Sequence, residues 1–441
     1  MGQEYYEELV KKMITEEERT QAKEMLSFIG RSPSCFHAVK NISNMLVQHG
    51  FHEISEETGW NLENGKSYFV KRNNSSLIAF SVPEDEFKRF LISSCHSDSP
   101  SFKIKENPEI EGSGCVRLNI EKYGGMLCAP WFDRPLSVAG RLLLKSDSPF
   151  NLEEKLVCVD RDLLVIPSLA IHMNRDANSE KKYNVQNDML PVLSAGEEKT
   201  GLVDLVCREC NVDKSEVVGA DLFLYNRDKG TFLGSDGEMI GSPRLDDLEC
   251  AYTTLQGFID SENNQSIIMY CIFDNEEVGS LSRQGADSTF LEDVLKRICL
   301  SLGRSQEDYY TLVAGSFMVS ADNGHAEHPN FSSSADPVNK PRLNAGPVIK
   351  FNASQKYTTD GISSGMFTQV CKKAGVPVQT YTNRSDIQGG STLGNISNAH
   401  VSLKTVDVGL PQWAMHSPYE TAGSRDVSLM IRAMKSFFET V

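Results

Sequence analysis

Ile267-Ile268-Met269-Tyr270-Cys271-Ile272-Phe273-Asp274-Asn275-Glu276-Glu277 decides how this chain folds. An unbroken apolar run of strand length has no solvent face, so it reads as a strand covered on both sides. It ends abruptly in polar and acidic residues, which marks the end of the strand as the place where chemistry can sit. Working outward, 245–259 carries Leu245, Leu248, Tyr252, Leu255, Phe258 and Ile259 on one helical face, and 290–302 also reads as a helix. The runs 311–319, 376–381 and 403–408 read as strands, and 427–438 as a closing amphipathic helix. Upstream, 22–29 and 36–47 have helical apolar spacing, and 87–94 reads as a largely buried strand. Apolar strands alternating with helices predict an α/β fold whose sheet is sandwiched by helices.

From 103 to 235 the texture changes. Short strand-like pieces at 142–145, 156–159, 163–167 and 222–225 are separated by Gly, Pro and Asp/Asn turns, and 173–188 and 196–199 read as polar loops. The expected organisation is a discontinuous α/β domain, 1–102 and 236–441, interrupted by a β-rich insertion at 103–235.

The chain has 441 residues and a net charge of −16, from 60 acidic against 44 basic residues. That balance, with no basic run, argues against nucleic acid and anionic membranes as partners. No stretch approaches the length of a membrane span, and the acidic start at 1–8 lacks the apolar segment of a secretory leader. The 11 cysteines are odd in number and scattered, several in apolar runs, which suits reduced thiols in a cytoplasm. Cys207-Arg208-Glu209-Cys210 has neither a second pair nor a nearby His, so the structural reading prevails there.

The chemistry sits directly after the strands. The run 87–94 leads into Cys95-His96-Ser97-Asp98, 267–273 into Glu276-Glu277, 311–320 into Asp322, and 403–409 through 410–415 into His416. Asp246 opens a helix after Ser242-Pro243-Arg244. Ligands of open α/β sheets gather at the carboxyl ends of the strands, and imidazoles with carboxylates are ligands that zinc accepts. Two divalent ions against Asp246, Glu277 and Asp322, with His96 and His416 neutral, leave one positive charge, which favours hydroxide over water. Asp246 suits a bridge between two ions because a carboxylate has two oxygens. Asp98 suits the second nitrogen of His96, fixing its tautomer. Glu276 is the remaining carboxylate and suits a general base. The residues alone leave open a metal hydrolase and an acidic loop cluster.

The motifs go further. His96-Ser97-Asp98-Ser99-Pro100, Lys122-Tyr123-Gly124-Gly125, Trp131-Phe132-Asp133-Arg134, Ile166-Pro167-Ser168-Leu169-Ala170-Ile171-His172, Pro243-Arg244-Leu245-Asp246, Asp274–Ser280, Ser320-Ala321-Asp322, Gly346-Pro347-Val348-Ile349-Lys350 and Gln412-Trp413-Ala414-Met415-His416-Ser417 run nearly end to end. Together they resemble the bacterial type of the aspartyl-aminopeptidase-like dinuclear zinc aminopeptidases. The resemblance implies a mixed sheet between helices with an inserted dimerisation domain, and assembly into tetrahedral dodecamers. It implies two zinc ions (cobalt or manganese also fit the ligand types), one held by His96, Asp246 and Asp322 and the other by Asp246, Glu277 and His416. Glu276 would be the base, and His172 would reach a neighbouring subunit's substrate. A three-histidine site of His96, His172 and His416 ranks second, since it leaves the carboxylates idle. The chain departs from the family pattern at Pro135, at Asn323-Gly324 and over 384–391, the last two read as lying near the substrate pocket.

The expected activity is release of N-terminal residues from short peptides. Lys350 follows an apolar run and must meet an anion, either a carboxylate of the protein or, as the resemblance implies, that of an N-terminal Asp or Glu. An N-acyl amino acid deacylase or carboxypeptidase of related architecture is the first alternative, and a non-catalytic shell-forming protein the second.

Overall fold

The structure, a computed structural model, describes residues 14–179, 181–196 and 200–441. The start at 1–8, part of the loop at 196–199, and one position of 173–188 lie outside the described residues.

The apolar run Ile267–Phe273 is a strand buried along its whole length. Its side chains alternate: Ile268, Tyr270 and Ile272 enter one core, while Ile267, Met269, Cys271 and Phe273 enter another. Helices Glu16–Gly30, Cys35–Gln48, Leu245–Ile259, Gly361–Lys373 and Asp426–Phe438 cover the first face, and Phe290–Ser301 and Gln306–Gly315 the second. A period of two along the strand thus accounts for the two-sided burial.

This strand is part of a nine-stranded mixed sheet. It runs parallel to Phe90–His96, which runs parallel to Phe317–Ala321, which runs parallel to Lys404–Gly409. Ser76–Ser81 and Val348–Phe351 flank these four in the antiparallel sense. Phe273 stands beside His96 in register, so the carboxyl ends of the central strands line one edge.

A separate six-stranded antiparallel sheet is built from strands between Ser101 and Asn226. Its core includes Phe102, Leu118, Trp131, Val138 and Leu224, with the helix Leu202–Cys210 packed against it. A third, five-stranded sheet joins Met239–Ser242, Glu420–Gly423 and Pro411–Trp413 with two short strands.

Three local expectations are corrected. The run 311–319 is not one strand: Gln306–Gly315 is a helix and the strand is Phe317–Ala321. The capping box between Ser305 and Asp308 starts that helix, and Tyr309 and Leu312, one turn apart, supply its buried face. The piece 163–167 forms only isolated bridges, Leu136 with Leu164 and Val165 with Val192. The insertion's strands are also longer than its apolar pieces: Ser101–Gly112 and Cys115–Tyr123 pair antiparallel, although many of their outward positions are polar or charged, among them Lys103, Lys105, Glu109, Arg117, Asn119 and Glu121.

Candidate metal centre

One strand end, three loops and one helix entrance deliver the site. His96 ends its strand, Glu276 and Glu277 follow theirs in a short turn, and Asp322 comes directly after Phe317–Ala321. His416 lies beyond Pro411–Trp413 in a left-handed backbone conformation, φ 66°. Asp246 falls at the entrance of Leu245–Ile259 with φ −81° and ψ 110°, so regular helix begins only after it; the Asp246–Asp247 peptide is cis.

Asp246 is the meeting point. Its Oδ1 lies 3.5 Å from His96 Nε2, and its Oδ2 lies 3.4 Å from His416 Nε2. Asp322 Oδ1 is 3.8 Å from His96 Nε2, and Glu277 Oε2 is 3.4 Å from His416 Nε2. Atoms ligating one tetrahedral zinc at about 2.0–2.1 Å stand roughly 3.3 Å apart. These separations are therefore closer to the edges of ligand tetrahedra than to good hydrogen bonds. Candidate ligand groups form around His96, Asp246, Asp247 and Asp322, around Asp246, Glu277 and His416, and around His96, Glu276 and Glu277.

The electrostatics fit cations. Asp246 Oδ1 and Glu277 Oε1 are buried without a hydrogen-bond donor. Burial alone would depress the His96 pKa, yet Asp246, Asp322 and Asp98 push it well above the ordinary histidine value. His416 shifts upward as well, against its burial, chiefly through Asp246. Burial would raise Asp246, but the facing His416 and His96 hold it below the carboxylate range. Burial pushes Glu276 up to about 8; His96 opposes this, while Asp322, Asp98 and Asp246 add to it.

Asp98 ties the centre together. His96 Nδ1 faces its backbone oxygen at 3.1 Å and its Oδ1 at 3.4 Å. The same carboxylate accepts the backbone N–H groups of Glu276 at 3.1 Å and Glu277 at 3.2 Å. Tyr123, from the six-stranded sheet, donates its hydroxyl to Asp98 Oδ2 at 2.7 Å. The following glycines let that sheet approach the centre: a Cβ on Gly124 would stand 3.1 Å from Glu277 Cβ, and Gly124 has φ 76°.

A cavity of about 320 Å³ opens beside the centre, lined by Asp246, Glu276, Asp322, His325, Lys350, Tyr357 and His416 among others. Lys350 is buried and meets an anion of the protein: Nζ donates to Asp322 Oδ2 at 3.3 Å and to Asn323 O at 2.9 Å. Burial works against its charge, yet Asp322 foremost among its neighbours raises its pKa. Gly390 and Ser391 of the altered segment also line the cavity. Asn323 and Gly324 line it too, with the Asn323 side-chain amide directed to Glu249 and Gln412.

His172 is not among these residues. It lies exposed on a turn outside every candidate ligand group of the described residues, so within one chain no site of His96, His172 and His416 forms. Sequence reasoning missed Asp247, whose Oδ2 accepts the His96 N–H at 3.1 Å, and Glu420, which accepts the N–H of His416 at 2.7 Å and of Asp246 at 3.0 Å. Asp247 is signalled only by adjacency to Asp246, and Glu420 only by standing shortly after His416.

Known proteins fit this arrangement. The family described as Aminopeptidase I zinc metalloprotease (M18) matches residues 28–438. A probable M18 family aminopeptidase 2 of Clostridium acetobutylicum is 45% identical over 424 residues, covering 95% of this chain and 98% of that relative. Among solved structures, the complex of Ape4 and Nbr1 contains a chain similar at TM-score 0.92 and 36% identity, covering 97% of this chain and 87% of that one. The mApe1 dodecamer of S. cerevisiae is similar at TM-score 0.83 and 27% identity, covering 95% and 96%. With one family matched along almost its whole length and its acids and imidazoles converging on one centre, the chain belongs to the M18 family of zinc metalloprotease aminopeptidases.

Proposed function

We propose that two zinc ions occupy this centre, one held by His96, Asp246 and Asp322 and the other by Asp246, Glu277 and His416, and that the chain removes N-terminal residues from short peptides there. The observation that carries this is Asp246, whose two oxygens face two different imidazoles. Bound zinc supplies Lewis acidity toward the peptide carbonyl and lowers the pKa of water. Glu276, in the cavity wall, takes a proton from the attacking water and returns it to the leaving amine nitrogen. Asp98 keeps His96 in the tautomer with Nε2 free and holds the Glu276-Glu277 turn by its N–H groups.

Residues 1–102 and 236–441 form the metallopeptidase domain, and 103–235 an inserted dimerisation and lid domain. In support, the six-stranded sheet draws all its strands from within Ser101–Asn226, and Tyr123 and Gly124 reach the metal centre from it. The working form is a homododecamer, the assembly that mApe1 of S. cerevisiae forms. His172, flanked by the exposed Leu169, Ile171 and Met173, completes a neighbour's site. Light scattering is expected to find a large closed assembly, with His172→Ala leaving the assembly intact and kcat reduced. An active monomer contradicts this reading. All eleven cysteines are free, which suits work in a reducing cytoplasm.

Lys350 selects the N-terminal residue. An ammonium has three N–H donors; Asp322 and Asn323 engage it, leaving one toward the carboxylate of an N-terminal Asp or Glu. The pairing with Asp322 supports a second reading, in which the lysine charge is already matched and neutral residues are taken. Hydrolysis of Glu-, Asp- and Leu-anilides by wild type and Lys350→Met distinguishes them. The first reading expects kcat/KM to fall about 10-fold or more for the acidic substrates only, the scale of one charge-assisted hydrogen bond. N-acetylated anilides are expected to be inert; their cleavage would favour a deacylase.

A further inference from the structure

We infer that Glu420 is a positioning residue that builds the second metal subsite, that of Asp246, Glu277 and His416, by holding the backbones of Asp246 and His416 together. The inference rests on the two-ion reading above. Glu420 opens the strand Glu420–Gly423 and is buried, 2% exposed. A buried carboxylate is costly unless its oxygens find donors, and no lysine or arginine pairs with this one among the described residues. Its shortest donors are instead the backbones of two ligands: Oε2 accepts the N–H of Asp246 at 3.0 Å and Oε1 that of His416 at 2.7 Å, with the Gln412 amide donating to Oε1 from farther off, at 3.4 Å.

Both backbones need such a hold. Asp246 precedes the regular part of its helix, and His416 has φ 66°, where a residue bearing a Cβ is unfavourable without support. Ala414, two residues earlier, shares that conformation at φ 56°. The two ligands are not equally dependent on Glu420. Asp246 is anchored again at its carbonyl by Ser99 Oγ at 2.9 Å and leads into a buried helix. His416 lies in an irregular loop, its carbonyl bonded to the Leu127 N–H at 3.1 Å. The first subsite has supports of its own, since Asp98 and Asp247 hold His96. Loss of Glu420 therefore falls on His416 and the second ion.

Glutamine at this position keeps the volume and one acceptor oxygen, but its amide NH₂ would face a backbone N–H. The experiment is zinc binding to the metal-stripped, full-length protein by competition with a chelator, read as ions per chain and the affinity of each. Wild type is expected to bind two ions, and only one would overturn the two-ion reading rather than this inference. Glu420→Gln is expected to keep the first affinity and lose about 10–100-fold in the second, the scale of losing a support behind a ligand. In a His416→Ala background, where that ligand is already gone, Glu420→Gln is expected to add nothing. Unchanged second-ion affinity, or equal loss of both ions, overturns the inference. If Glu420→Gln is recovered unfolded, Glu420→Asp, which keeps the charge but reaches one N–H, carries the same measurement and the same two outcomes.

Discussion

Asp246→Asn is expected to strip both zinc ions from the chain and take activity to background. Asp246 Oδ1 faces His96 at 3.5 Å and Oδ2 faces His416 at 3.4 Å, so its oxygens are shared between the two ligand sets. Asparagine replaces one oxygen by an NH₂ that cannot ligate and removes the charge that offsets two dications. Without the ions, water is no longer acidified toward neutrality, and the nucleophile is lost at neutral pH. His416→Ala is the contrast, since it removes a ligand of one set only and is expected to weaken one ion. Metal content per chain, measured after exhaustive dialysis, checks both variants. Two tightly bound ions in Asp246→Asn would remove the bridging role.

Glu276→Gln is expected to lower kcat by about 10²–10⁴-fold with both ions retained. The glutamine matches the carboxylate in shape but cannot accept a proton. Glu276 belongs to neither proposed ligand set, although it lies within ligand distance of His96 and Glu277. Metal content must therefore be measured beside kcat. Loss of an ion would make Glu276 a ligand, and a near-normal rate with both ions bound would end its assignment as base.

The legible part of this protein is the part that local pattern fixes. Ile267–Phe273 has no polar face, so its burial and the helices on both sides of it follow from the sequence. Because parallel strands end on one edge, the sequence alone points His96, Glu276, Glu277 and Asp322 to that edge, with His416 in the stretch that follows Lys404–Gly409. Local pattern failed where two elements abut or where one strand face is charged. The helix Gln306–Gly315 and the strand Phe317–Ala321 merged into one apparent run. The strand Ser101–Gly112 was hidden by its outward lysines and glutamates.

What the tertiary structure alone decided is convergence. Glu420 and Asp246 are 174 residues apart in sequence, and the hydrogen bond between them exists because separate elements meet. The inward turn of Asn323, the hold of Asp322 on Lys350 and the exposure of His172 are likewise products of packing. Periodicity reports which face of an element is buried. Which side chains come within reach across that buried face depends on register and crossover, and those are set by the whole chain.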